Sequence, residues 1–110
     1  MTRKSKEEIV ASSGNVFADL GLADSAELDT KARLGAAICN VVQRRGWTQI
    51  EVAEKLGVNQ PKVSALLNYN LEGFSVERLM NFLVRLGHDV EIIVKNKPRS
   101  RSARIAVKAA

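Results

Sequence analysis

The stretch TQIEVAEKLGVNQPKVSALL, residues 48–67, constrains the fold of this chain more than any other. Two short runs, each with apolar residues at three- and four-residue steps, are separated by barely enough chain to turn a corner. Thr48 with Glu51 three residues later forms a capping box, which predicts a helix starting at Gln49. Val52, Ala53 and Leu56 share one face of that helix. Gly57 follows, where left-handed backbone ends a helix without a Cβ clash. Val58 turns back to the core, Asn59 is the next N-cap, and Pro61 falls in a first turn, where its missing N–H costs nothing. Val63, Leu66 and Leu67 then face inward, whereas Gln60, Pro61, Ser64, Ala65 and Asn68 point outward with Lys62 on the flank. Neither helix buries much alone, so both need a floor beneath them.

The preceding segment supplies that floor. A helical pattern runs from residue 24 or 25 to about residue 45, with Leu28, Ala32, Gly35 or Ala36, Cys39 and Val42 as the expected inward positions and Gly46 as its stop. Further upstream, VFADLGLADS, residues 16–25, begins with a short apolar run that contains one charge and ends in Gly21, consistent with a docked segment or a single turn. Downstream, NYNLEGF is a loop, and Ser75 is an N-cap for a helix over 76–86 that buries Leu79, Phe82, Leu83 and Leu86 before Gly87. In HDVEIIV, residues 88–94, Val90, Ile92 and Val94 alternate with Asp89, Glu91 and Ile93 as in a β-strand. An isolated strand leaves its backbone unpaired, so a partner is required: residues 16–20, a second copy of the chain, or another protein.

Composition and charge narrow the function. With 110 residues the chain is sized for one domain with ragged ends, and its few aromatics leave a core of Leu, Val, Ile and Ala. Cys39 is the only cysteine, which excludes an internal disulfide and a paired-cysteine metal site. Cys39 fits best as a small apolar core residue, Trp47 as a lid on the core and His88 as a loop residue. No stretch approaches the ~20 apolar residues that span a bilayer, and the basic start lacks a secretory apolar run, so a soluble cytoplasmic protein is expected. The net charge is +5, yet residues 95–110 alone carry six bases and no acid, residues 1–8 carry +1, and residues 9–94 hold eight bases against ten acids. The basic character therefore sits in a tail, KNKPRSRSARIAVKAA, that lacks hydrophobic periodicity and is expected to be disordered. Such a tail can solvate the protein or lie along phosphates without sequence preference. There is no glycine-rich phosphate loop, no second histidine and no framed carboxylate pair, so neither an enzyme nor a cofactor is expected.

The two helices of residues 49–68 form a helix-turn-helix, whose second helix stands as a ridge that fits the major groove of B-DNA. Gln60 can bond adenine in two places, Ser64 can donate or accept, Pro61 or Ala65 can touch a thymine methyl, and Lys62 suits a phosphate or guanine. Gln49, at the start of the preceding helix, can hold a phosphate. Arg44 and Arg45 either complement the dipole of the first helix or lie near the DNA backbone.

The spacing Q-x-x-VA-x-x-LGV-x-Q-x-x-VS-x-LL, residues 49–67, resembles the Cro and phage-repressor type of helix-turn-helix, the XRE family. The segments SSGNVFADLGLADSAEL and QPKVSALLNYNLEGFSVERLMNFLVRLGHDVEIIV extend the resemblance over roughly residues 12–95, toward small antitoxin-like regulators similar to the HigA antitoxins. It implies a homodimer that binds a palindromic operator on double-stranded DNA, often beside a RelE-like ribonuclease toxin. By position it implies DNA contacts from Gln49, Asn59, Gln60, Pro61, Lys62, Ser64, Ala65 and Asn68. Glu72, an acid after the recognition helix, and the apolar Pro61 and Ala65 depart from a strongly binding pattern, so binding is expected to depend on dimerisation. The expected architecture is mainly α: a four- to five-helix lambda-repressor-like domain over 14–95 with a short C-terminal β-strand, between an N-terminal arm over 1–13 and a basic tail over 96–110. The expected function is a dimeric repressor in a toxin-antitoxin operon. The alternatives are an interaction module that neutralises a toxin with little DNA binding, and a solitary transcription factor.

Overall fold

The computed structural model of the chain describes residues 22–109, with side chains from Ser25 onward. The expected arm over 1–13 and the docked segment before Gly21 lie outside the described residues. Four helices follow one another: α1 (Leu22–Arg45), α2 (Gln49–Leu56), α3 (Gln60–Leu67) and α4 (Val76–Arg85). The chain divides into two units after Thr30. Of the first, the described part is the opening of α1, where the Thr30 hydroxyl donates to the Ala26 carbonyl at 2.9 Å. The second unit holds the remaining helices and the core.

Local chemistry sets the boundaries. At the end of α1 Gly46 takes φ +66°, and the N–H groups of Gly46 and Trp47 donate back to the carbonyls of Gln43 and Val42, a Schellman closure. The capping box of α2 is complete: the Glu51 N–H donates to the Thr48 hydroxyl at 3.2 Å, and the Thr48 N–H donates to the Glu51 carboxylate at 2.7 Å. Because this cap is exposed and local, Thr48→Ala is expected to cost about 1 kcal/mol. Urea unfolding would show it as a lower midpoint with an unchanged slope. Gly57, at φ 70° and ψ 33°, ends α2, and two residues later Asn59 caps α3 by accepting the Lys62 N–H at 3.0 Å. Ser75 caps α4 by accepting the Arg78 N–H at 3.0 Å, and α4 stops one residue before the expected Leu86, which is its C-cap.

α3 ends at Leu67, where the expected loop begins, but the conformation of that loop was not foreshadowed by the sequence pattern. Tyr69, rather than glycine, occupies the left-handed position at φ +62°, while the Asn70 and Tyr69 N–H groups donate to the carbonyls of Ala65 and Leu66. Gly35 of α1 accommodates this turn. A Cβ there would lie 3.2 Å from Leu71 Cδ1 and 3.6 Å from the Tyr69 ring, so its absence lets both side chains lie against α1. That packing offsets the strain of a tyrosine in left-handed backbone.

The core is one cluster to which every helix contributes. Leu34, Ile38, Val41 and Val42 come from α1, Val52 and Leu56 from α2, Val63 and Leu66 from α3, Leu71 and Phe74 from the loop, and Leu79, Phe82 and Leu83 from α4, closed by Leu86. Phe74 meets Phe82 edge to face at 5.8 Å. The inward face of α1 matches the expected one at Gly35 and Val42, which are buried, and differs elsewhere: Leu28, Ala32 and Ala36 are exposed and Cys39 is half-buried. Small and apolar residues surround α1 on several sides, and the bulkier Leu34, Ile38 and Val41 take the inward stripe.

The expected C-terminal strand does not form. No strand occurs among the described residues, and residues 88–94 have no neighbour there to complete a ladder. Residues 16–20, one partner considered for it, lie outside the described residues. Val90 packs against the core nonetheless, as does Val107 of the basic tail. Among the described residues no helix is long and apolar enough to cross a membrane.

Candidate nucleic-acid interface

The rotation of α3 is fixed from behind. Val63 and Leu66 are completely buried, and Val52 and Leu56 of α2 close the same core. At 3.6 residues per turn the far side of α3 is then occupied by Pro61, Ser64, Ala65 and Asn68, with Gln60 at its leading edge. Gln60, Pro61 and Asn68 are exposed, whereas Ser64 and Ala65 are half-buried and Ala65 also packs against the core. The structure thus brings these five residues together on one ridge.

The polar groups on that ridge are partly engaged. The Asn68 amide nitrogen donates to the Ser64 carbonyl at 2.9 Å and to its hydroxyl at 3.4 Å, which orients both side chains. Asn59 uses its side-chain oxygen to cap α3, which leaves its amide nitrogen as the group to turn outward. Gln60 has neither constraint and extends from the first turn. Gln49 is half-buried at the first position of α2, where backbone N–H groups are without helical partners.

Positive charge flanks the helix pair in two clusters that spacing did not reveal. The Lys62 ammonium lies 5.4 Å from the centre of the Phe74 ring, and the Arg78 guanidinium lies 5.7 Å from the same ring and 5.5 Å from that of Phe82. Two cations from α3 and α4 thus converge on one aromatic side chain. Just before α2, the half-buried Trp47 ring, which serves as the expected lid on the core, has its centre 4.5 Å from the Lys55 ammonium of α2 and 5.4 Å from the Arg45 guanidinium of α1. Arg78 could have been suspected from its place in the first turn of α4, but its meeting with Lys62 depends on the tertiary fold.

Cys39 belongs elsewhere. Burial pushes its thiol pKa up, partly opposed by a hydrogen bond from Tyr69, and the thiol sits 3.9 Å from the Leu67 carbonyl. A protonated, half-buried thiol is a packing group rather than a nucleophile. Among the described residues no group of three or more His, Cys, Asp or Glu side chains is placed to hold a metal ion.

Residues 16–95 match a family of helix-turn-helix domains. A solved structure described as an XRE family transcriptional regulator is 57% identical, covering 79% of this chain and 99% of that one, with a TM-score of 0.76. No curated protein matches.

Proposed function

The chain belongs to this helix-turn-helix family, as a DNA-binding transcriptional regulator of XRE type rather than an enzyme, and from that premise we propose that it is a dimeric repressor that occludes a promoter. The observation that carries the reading is the rotation of α3: burial of Val63 and Leu66 leaves Gln60, Pro61, Ser64, Ala65 and Asn68 as its outer face. In the major groove Gln60 offers a donor and an acceptor to adenine, Ser64 either role, and Pro61 and Ala65 apolar contact to a thymine methyl. Lys62, Gln49 and Asn59 hold the phosphates on either side. Two copies place their α3 helices about one turn of DNA apart, ~34 Å, over a palindrome.

The basic tail adds a contribution that does not depend on sequence. Replacing Arg99, Arg101, Arg104 and Lys108 by glutamine retains Val107 on the core and is expected to weaken operator and unrelated duplexes about equally. The slope of log K against log salt should become shallower by up to about 3.6, since each phosphate neutralised contributes about 0.9. Titrations at several salt concentrations read this directly. A loss confined to the operator would assign the tail to base reading instead.

The similarity of the flanking segments to HigA-type antitoxins extends the proposal to a RelE-like ribonuclease partner. Co-expression with the product of the adjacent gene tests it: a stable complex supports an antitoxin, and its absence leaves a solitary repressor.

A further inference from the structure

Residues 88–94 have the alternation of a strand but no strand among the described residues to pair with. Ile92 and Ile93 are 76% exposed and Val94 92%, and among the described residues no backbone hydrogen bond involves residues 89–97. Val90 rests on the core, and Val90 and Ile92 line a shallow groove with Met80, Asn81 and Val84 of α4. The even-numbered side of this segment therefore faces α4. Its odd-numbered side carries Asp89, Glu91, Ile93, Lys95 and Lys97, two acids followed by two bases about one central isoleucine.

That order is self-complementary when reversed. We propose that residues 89–97 pair antiparallel with the same residues of a second copy, in the register that sets Ile93 opposite Ile93. This assignment rests on the dimeric reading above and gives it a surface. Directly opposite residues of an antiparallel pair point to the same side. In this register Glu91 faces the second copy's residue 95, a lysine, and Asp89 faces its residue 97, also a lysine; each pairing occurs twice. On the other side Ile92 lies opposite the second copy's valine at 94, so this most exposed valine is carried toward Met80 and Val84 in the groove of the opposite α4, whose lining also includes Ser75, Glu77, Arg78 and Asn81.

The competing arrangements are poorer. Parallel pairing in register sets Asp89 on Asp89, Glu91 on Glu91 and Lys95 on Lys95. An antiparallel slip of one residue mixes the charged side with the apolar side. Moving the axis of pairing to residue 92 leaves Glu91 opposite Ile93, and moving it to residue 94 sets Ile93 opposite Lys95. Only the register centred on Ile93 matches both acids with both lysines.

Two variants of the full chain test this: Asp89→Lys with Glu91→Lys, which makes the odd side wholly basic, and Lys95→Glu with Lys97→Glu, which makes it wholly acidic. Sedimentation at about 50 mM salt, where such charges are weakly screened, should show each alone self-associating at least about tenfold more weakly than wild type. Native mass spectrometry of the equimolar mixture should show mainly the mixed dimer. A chain carrying all four substitutions restores the complementarity and should dimerise like wild type, which separates pairing from any effect on folding. If wild type is a dimer and the variants dimerise equally well without preference for the mixed pair, the strand assignment is overturned and the dimeric reading stands. A wild-type chain that stays monomeric, alone and on operator DNA, overturns both.

Discussion

Leu66→Ala is expected to lower the stability of the domain by about 2–5 kcal/mol, the range for deleting a fully buried leucine side chain. Leu66 is fully buried in the core cluster, so its truncation removes packing on every side and leaves a cavity. Domains of ordinary size have about 5–15 kcal/mol in total, so this change removes a large fraction of the margin. Urea unfolding followed by circular dichroism would register it as a fall in midpoint at constant slope. Leu28→Ala is the matched control: Leu28 is 59% exposed, and the same truncation there is expected to stay within about 0.5 kcal/mol. Equal losses at the two positions would contradict the burial pattern of the core.

The second large effect is on recognition. Gln60→Ala is expected to cost about 1–3 kcal/mol of operator binding, roughly five- to 150-fold, and to relax discrimination at one base pair. Folding stability should be unchanged, because Gln60 is exposed and takes no part in the core. The contrast with the tail variant matters, since loss of a phosphate contact weakens every sequence alike. Operator affinity that survives Gln60→Ala with its base preferences intact would mean that another face of the protein reads the DNA.

Much of this was legible because helix boundaries are set by local chemistry. Thr48, Asn59 and Ser75 cap the helices they were expected to cap, and Gly46, Gly57 and Gly87 all take positive φ. The outward ridge of α3 followed from Val63 and Leu66, since two fixed core positions determine the rotation of a short helix. The inward face of α1 followed only at Gly35 and Val42: Ala32, Ala36, Ala37 and Cys39 surround Leu34 and Ile38, and periodicity alone could not say which stripe the other helices would cover. The left-handed Tyr69 did not follow, because it depends on its contact with a glycine far away in sequence. The period over 88–94 is that of a strand, yet the single chain forms none there among its described residues, because a strand's stability lies in its neighbour. The convergence of Lys62 and Arg78 on Phe74 likewise arises from tertiary packing.

The central claim is that α3 reads sequence, and fluorescence-anisotropy titration tests it most directly. The protein would be titrated against labelled DNA from upstream of its own gene and against a shuffled duplex of the same composition, across several salt concentrations. Binding through the α3 ridge predicts a large preference for the upstream DNA that persists as salt rises. Equal affinity for both duplexes, vanishing together with salt, would contradict it and leave the basic tail as the source of DNA binding.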